Sequence, residues 1–332
     1  MRKEILFWGI ISLFVMTGCG SKQYFSPEHT YSASSSSVGT IRSFSRNGAT
    51  LEDGRVLTKK GISTARVKKG FNFINATKGG MITANKKGDC ELVLSSGTEK
   101  SIKLSKALVA GTIIKNRLVY LLQDNSFGVY DLTTDKIVYN NKAEKVFSID
   151  TRIANPYQID NLVVVPTLSG KLSILDLTTL KLSKEIYVST ESSLNNIIFL
   201  NRLGNTLVAA TPHRVISYSN RGKREFDRAI SEVILSGNSL FVFAKDGQIS
   251  QLDSSMKVLN EKKFRFAHFS VATIVDNKIY AMDKQGLLIV SNKELTKHKV
   301  YDLPEVDGYS FVSGGKLYYD GKSVDLAPLS YE

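Results

Sequence analysis

The chain predicts an all-β fold, a ring of four-stranded antiparallel blades, and three observations carry that expectation. From about residue 40 onward, short runs alternate apolar and polar residues between Gly, Asn and Asp punctuation, and long helical patterns are absent. One run recurs in six copies: RLVYLLQ (117–123), NLVVVPT (161–167), NTLVAAT (205–211), SLFVFAK (239–245), KIYAMDK (278–284) and KLYYDG (316–321). Its anchors, Leu118, Leu162, Leu207, Leu240, Ile279 and Leu317, lie 44, 45, 33, 39 and 38 residues apart. A unit of that length holding four short strands is the signature of a β-propeller. One such sheet cannot bury both its faces, so stacking around an axis supplies the core.

Each run is followed by a turn and a second alternating strand, FGVYDL, GKLSILDL, HRVISYS, GQISQLD or GLLIVSN. A third strand comes after a polar turn. A fourth, apolar one precedes the next copy, as in NNIIFLN (195–201) and AISEVILSG (229–237). GGMITANKKGDCELVLSSG (79–97) is an earlier copy of the same pair. Counting from Ile82 gives seven starts, and the last runs out of chain near Leu326. Seven blades are therefore expected, with eight as the alternative. The N-terminal strands in TIRSFSRNGATLEDGRVLT (40–58) are expected to complete the last blade, so that N- and C-terminal strands close the ring and remove two open edges. A β-sandwich would not impose a 40-residue period over two hundred residues.

The N-terminus carries a different signal. Arg2 and Lys3 precede an uncharged apolar run over 5–16. Twelve residues are too few for a stable bilayer span, which takes ~20, but they suit a secretory leader. Met16-Thr17-Gly18-Cys19 resembles the bacterial lipobox, which implies cleavage before Cys19 and acylation of that cysteine. Several acyl chains on one residue anchor stably where a single chain is marginal. An ordinary leader with a coincidental cysteine is the alternative. Residues 20–39, ending in SASSSSVG, read as a flexible tether with a reach of roughly 25 Å. Gly20 stands where Asp signals inner-membrane retention in many Gram-negative lipoproteins, so resemblance to that rule favours the outer membrane, facing the periplasm. The expected organisation is a leader over 1–18, a lipidated cysteine and tether over 19–39, and a propeller over 40–330.

Loss of 1–18 removes two basic side chains and one acidic one, taking the net charge from +13 to +12. It also removes Trp8, the single tryptophan, and leaves Cys90 as the one thiol beside Cys19. The folded body then has no intramolecular disulfide available. Cys90 sits in the alternating stretch GDCELVL and reads as a small buried hydrophobe.

Nothing in the sequence assembles a catalytic constellation. His29, His213, His268 and His298 are far apart, with no HExxH, so neither metal ligation nor a metal cofactor is expected. GxSxG, GxGxxG and GxxxxGK[ST] are absent. His213 and Arg214 open a strand where the other copies have Gly, which suits a channel mouth or an ordinary loop. The charge is carried partly by pairs at turns, Lys59-Lys60, Lys68-Lys69, Lys86-Lys87 and Lys262-Lys263, with Arg221-Gly-Lys-Arg224. Outside the cytoplasm such a surface suits anionic lipid headgroups, anionic cell-wall components or an acidic protein rather than nucleic acid. It equally suits a solvated surface whose lysines protect strand edges. Three of the pairs fall in the first hundred residues, so that side is expected to be the more basic.

YDLTTDKIVY (130–139) and LDLTTLKLSK (175–184) resemble the quinoprotein-type repeat, Asp-x-x-Thr-Gly-Lys-x-x-Trp. Asp131, Thr134 and Lys136 fall on that pattern, with Asp135 at the Gly and Tyr139 at the Trp. Asp176, Thr179 and Lys181 match in the next copy, with Leu180 and Lys184 at those two places, and LDSSMKVL (252–259) is a shortened version. The resemblance implies that the Asp and Thr shape a hairpin turn, while Phe and Tyr do the inter-blade packing a Trp would do. A quinone cofactor would need stacking aromatics and calcium-binding carboxylates at the axis, and none is expected. A lipid-anchored propeller of this type is similar to the propeller subunit of the outer-membrane β-barrel assembly machinery. That implies a monomeric, non-enzymatic scaffold that binds protein partners in the envelope. The alternatives are a surface-displayed propeller for host or glycan ligands, and a degenerate quinoprotein-like enzyme.

Overall fold

The computed structural model describes residues 25–332 apart from 143, 144, 147, 192, 266, 304, 305 and 307, so the leader and Cys19 lie outside the described residues. Every regular element among the described residues is a strand, and the strands form eight sheets. Seven blades are antiparallel meanders of four consecutive strands, over 41–66, 72–103, 108–141, 157–187, 199–227, 230–263 and 269–302. The eighth has three consecutive strands, Ser310–Ser313, Lys316–Tyr319 and Lys322–Asp325, and takes its outer strand from Ser36–Ser37. There Ser36 stands opposite Ser323 and Ser37 opposite Lys322. Tyr31–Ser32 adds in parallel to the seventh blade, with Tyr31 opposite Tyr301. Phe25 packs edge-on against Phe264 at 6.0 Å. Part of the 19–39 segment thus lies against the blades.

The expected count of seven is corrected to eight. Residues 40–58 do not complete the last blade; with 61–66 they form a first blade of their own. Its second strand, Gly48–Leu51, is GATL, fully buried but small, and so lacks the bulky apolar run that marks the other copies. The phase also shifts by one strand. The recurrent run is the second strand of each blade, and the apolar stretch read as a fourth strand is the first strand of the next blade. Phe199–Leu203, for example, pairs with Thr206–Ala210.

Packing explains why the second strand was the legible one. In the third blade, Leu118, Tyr120 and Leu122 point towards the second blade and cluster with Ile82 and Leu92. The intervening Val119 and Leu121 point the other way and cluster with Val163 and Leu175 of the fourth. A strand buried on both faces needs apolar side chains at consecutive positions. The fourth strands lie at the rim and are polar, as in the exposed Lys136–Asn141 and Lys181–Tyr187. Apolar clusters of this kind join each blade to the next, and Phe311 and Tyr318 of the eighth pack against Ile41, Leu51 and Leu57 of the first.

Candidate functional site in the axial channel

The first strands of the blades line the axis. In five blades this strand carries a register irregularity near its start, between Ile41 and Ser43, Phe73 and Asn75, Leu108 and Ala110, Ile230 and Glu232, and Phe269 and Val271. Such a bulge leaves one residue unpaired and turns its polar groups out of the ladder. At the sixth blade the unpaired residue is Ser231, and its carbonyl oxygen accepts a hydrogen bond from Arg152. Arg152 belongs to the connection between the third and fourth blades, so it reaches across the channel. Asn196 holds that connection in place: its Oδ1 accepts from Asp150 N at 2.6 Å, and its Nδ2 donates to the carbonyls of Asp150 and Arg152 at 3.1 and 2.9 Å.

A second arginine crosses in the same way. Arg46, in the first turn of the first blade, meets Glu232 at 2.6 Å and donates to the Val233 carbonyl at 3.0 Å. Its guanidinium carbon lies 5.3 Å from the centre of the Phe199 ring. Arg46, Lys59 and Glu232 lie between two cavities of the channel and border both. One, of about 500 Å³, opens on the face that carries the turns between second and third strands. The other, of about 960 Å³, opens on the opposite face and is lined by Lys78 and Lys115. On its wall Asn75 donates to the Gly111 carbonyl at 2.7 Å and Thr112 to the Pro156 carbonyl at 2.7 Å, stitching neighbouring first strands together.

Charge in the channel is strongly coupled. Burial raises the pKa of Asp150, but the hydrogen bonds and charge of Arg152, paired at 2.5 Å, outweigh it and hold the carboxyl below its ordinary value. Lys59 is exposed as a residue and lines the channel, where it borders both cavities. Burial there, with repulsion from Arg46, pushes its ammonium down to about 8 against the opposing pull of Glu232. Its Nζ sits 4.7 Å from the centre of the Phe311 ring.

The repeat-pattern residues lie elsewhere, at the rim. Asp131 Oδ1 accepts from the backbone N–H groups of Thr133 and Thr134, both at 2.9 Å, and Asp176 Oδ1 accepts from those of Thr178 and Thr179 at 2.7 and 2.9 Å. Asp135 and Leu180, at the Gly place, have φ of 57° and 55°. Lys136 and Lys181 open exposed outer strands. Tyr139 packs on the cluster between the third and fourth blades, 6.1 Å from Phe127. Lys184 instead lays its ammonium over Tyr218 of the next blade, 4.8 Å from the ring centre.

The histidines do not converge. His29 is exposed, His213 is in a turn, His298 packs edge-on against Phe264 at 5.1 Å, and His268 borders the 500 Å³ cavity. Among the described residues no three His, Cys, Asp or Glu side chains are grouped to hold a metal. Cys90 is buried in the core, and desolvation raises its thiol to about 12, which makes it an inert packing residue. The basic pairs are distributed rather than gathered. Lys68 meets Glu91 at 3.0 Å and Lys263 pairs with Asp246, while Lys59 turns into the channel. Arg46, Arg152 and Glu232 escaped notice in the sequence because only the blade phase places them at the axis.

No family model matches the sequence. The chain is 27% identical over 373 aligned residues to the plasminogen-binding protein PgbB of Helicobacter pylori J99, covering 95% of this chain and 68% of that protein. PgbB of a second Helicobacter pylori strain is 28% identical over the same 95% of this chain and 68% of its own length. Among solved structures, BamB from Moraxella catarrhalis superposes with a TM-score of 0.66 at 14% identity, over 89% of this chain and 99% of that one. The C-terminal WD40 domain of Sif2 gives 0.65 at 10% identity, over 89% and 98%. The likenesses to solved structures establish a fold like that of BamB, an eight-bladed propeller here.

Proposed function

We propose that this chain is a non-enzymatic docking propeller, anchored at the outer membrane through Cys19, that binds a protein partner through the loops of one face. The observation that carries the reading is the similarity over 95% of the chain to proteins named for binding plasminogen. A rigid ring presenting loops from every blade suits docking, and a net charge of +12 after leader removal suits an acidic partner surface. Plasminogen is the partner to test first, with the protein displayed on the cell surface. A second reading, a scaffold for outer-membrane protein assembly on the periplasmic side, draws on the BamB-like fold together with the expected anchor.

Immobilised protein lacking the leader is expected to bind plasminogen, and the affinity is expected to fall at least tenfold between about 0.05 and 0.5 M salt, since exposed charges are screened beyond ~8 Å already at physiological ionic strength. Protease treatment of intact cells is expected to remove the body. Protection until the outer membrane is permeabilised, combined with no plasminogen binding, favours the assembly reading. Loss of all partner binding in His213→Ala or His268→Ala with an unchanged melt would contradict a docking role spread over many loops.

The anchor has its own test. Cys19→Ala is expected to leave an unprocessed precursor and to abolish palmitate labelling. A mutant that matures normally and is released as soluble protein sinks the lipid-anchor reading.

A further inference from the structure

The 500 Å³ cavity at the axis holds more positive charge than its own acids balance. Arg46, Lys59, Arg152, Lys245 and Lys284 line it, against Asp150 and Glu232. Both acids are committed, Asp150 to Arg152 at 2.5 Å and Glu232 to Arg46 at 2.6 Å. Lys59, Lys245 and Lys284 form no ion pair with any described residue. Lys59, Arg46 and Glu232 border both cavities and so form the floor of this one. Lys245 and Lys284 begin turns between second and third strands and stand at its rim. Phe44 and Tyr309, with ring centres 5.1 Å apart, close one side of the mouth.

We propose that this cavity binds a small anion carrying two or more phosphate groups, with Lys59 beneath it and Lys245 and Lys284 above. Cations gathered in a partly enclosed space repel one another, and a multivalent anion relieves that repulsion at several places at once. Each charge-assisted contact there is stronger than at an open surface. The cavity is large enough for the anion alone or for a phosphorylated sugar headgroup. The depressed ammonium of Lys59 supports this assignment, because an anion beside it restores its charge. The ionisable groups that share this cavity with Lys59 are Arg46 and Glu232 at the floor, with Asp150, Arg152, Lys245, His268, Lys284 and Tyr309 around the wall. Glu305 and Asp307, which precede Gly308 in the sequence, lie outside the described residues.

Calorimetric titration of the leaderless protein with inorganic pyrophosphate tests the site, with glucose 1,6-bisphosphate as the headgroup probe and citrate as a phosphate-free anion. Pyrophosphate is expected to bind with one site. Lys59→Met and Lys284→Gln are each expected to weaken it about tenfold or more, while Lys86→Gln with Lys87→Gln leaves it unchanged. Relative to Lys59→Met, the parent is expected to take up roughly half a proton more on binding at pH 8, where Lys59 is partly charged, and no more at pH 6, where it is already protonated. Tighter binding of the sugar bisphosphate identifies a headgroup, and equal or tighter binding of pyrophosphate identifies the free ion. No saturable binding, equal affinity for citrate, or full affinity in Lys284→Gln overturns the proposal. Lys284→Gln, at the solvent-facing rim, decides the matter if Lys59→Met fails to fold.

Discussion

Ending the chain after Leu303 is expected to abolish cooperative folding. The deletion removes all three C-terminal strands of the eighth blade and with them Phe311, Leu317, Tyr318, Tyr319, Val324, Leu326 and Leu329, each buried to within 8% of complete. Burial of such side chains contributes about 1.5–3 kcal/mol apiece, so their sum exceeds or matches the roughly 5–15 kcal/mol that holds a typical domain together. The loss is felt twice. Leu317 and Tyr319 pack on Tyr280 and Met282 of the seventh blade, while Phe311 and Tyr318 pack on Leu51 and Leu57 of the first. Both neighbours would be left with open apolar faces, and Ser36–Ser37 would lose its partner strand, conditions under which sheets aggregate. The observable is a broad or absent thermal transition with binding of a hydrophobic dye at room temperature. A start at Gly39 is a milder cut: it removes the short pairings of Ser36–Ser37 with Lys322 and Ser323 and of Tyr31–Ser32 with Tyr301 and Asp302, the Phe25–Phe264 contact, and the bonds that Val38 makes to the Gly321 carbonyl and to Arg55, but no strand of a blade's inner three. That chain is expected to melt cooperatively at a lower temperature. A truncation at 303 that melts like the full chain would show that the eighth blade is dispensable.

How far the sequence could be read follows from what each strand faces. Second strands are buried on both sides, and their runs, such as VVVP at 163–166, stand out of any window. First strands line a polar channel on one side and must also accommodate bulges, so Ile230–Ser236 reads as ISEVILS, with Glu232 inside the element. Without the phase of the blade, Glu232 looks like a surface residue, and so do Arg46 and Arg152. Lys59 was visible only as half of a basic pair at a turn; both lysines are exposed, but of the two Lys59 lines the channel cavities. The count failed at the first blade for a related reason. Gly48 approaches the Leu57 carbonyl and the Phe73 ring so closely that an added Cβ would lie 2.4 Å from each, and a strand that small carries no bulky anchor. Bonds between blades, such as Asn75 to the Gly111 carbonyl across thirty-six residues, have no local signature at all.

Gly247→Ala is expected to destabilise the propeller far more than its chemistry suggests, by roughly 3 kcal/mol, or about 5 °C in melting temperature. Gly247 occupies the turn between the second and third strands of the sixth blade at φ 83°. Its carbonyl accepts from Phe264 N at 2.9 Å, which ties the end of the outer strand back to that turn. Gly54, Gly88, Gly170 and Gly286 make the same tie in their blades, to Val67, Leu104, Val188 and Leu303. A side chain at 247 meets two costs together. The backbone lies in the left-handed region that L residues enter at about 1–2 kcal/mol, and the new Cβ would stand 2.1 Å from the Phe264 carbonyl oxygen. Relief requires the turn to move away from the strand it holds, opening the cluster in which Phe264 packs with Phe269 and Leu295. The fifth blade supplies the control. There His213 takes the place of the glycine, its carbonyl accepts from Arg228 N at 3.1 Å, and its φ is not positive. Its turn is shorter, closed by Thr211 N bonding to the Arg214 carbonyl at 2.9 Å. The tie depends on main-chain atoms alone, so His213→Ala should change stability by no more than about 0.5 kcal/mol. Thermal melts of the two variants beside the parent decide the point: equal midpoints for all three would mean that the glycine turns are not held in the left-handed conformation.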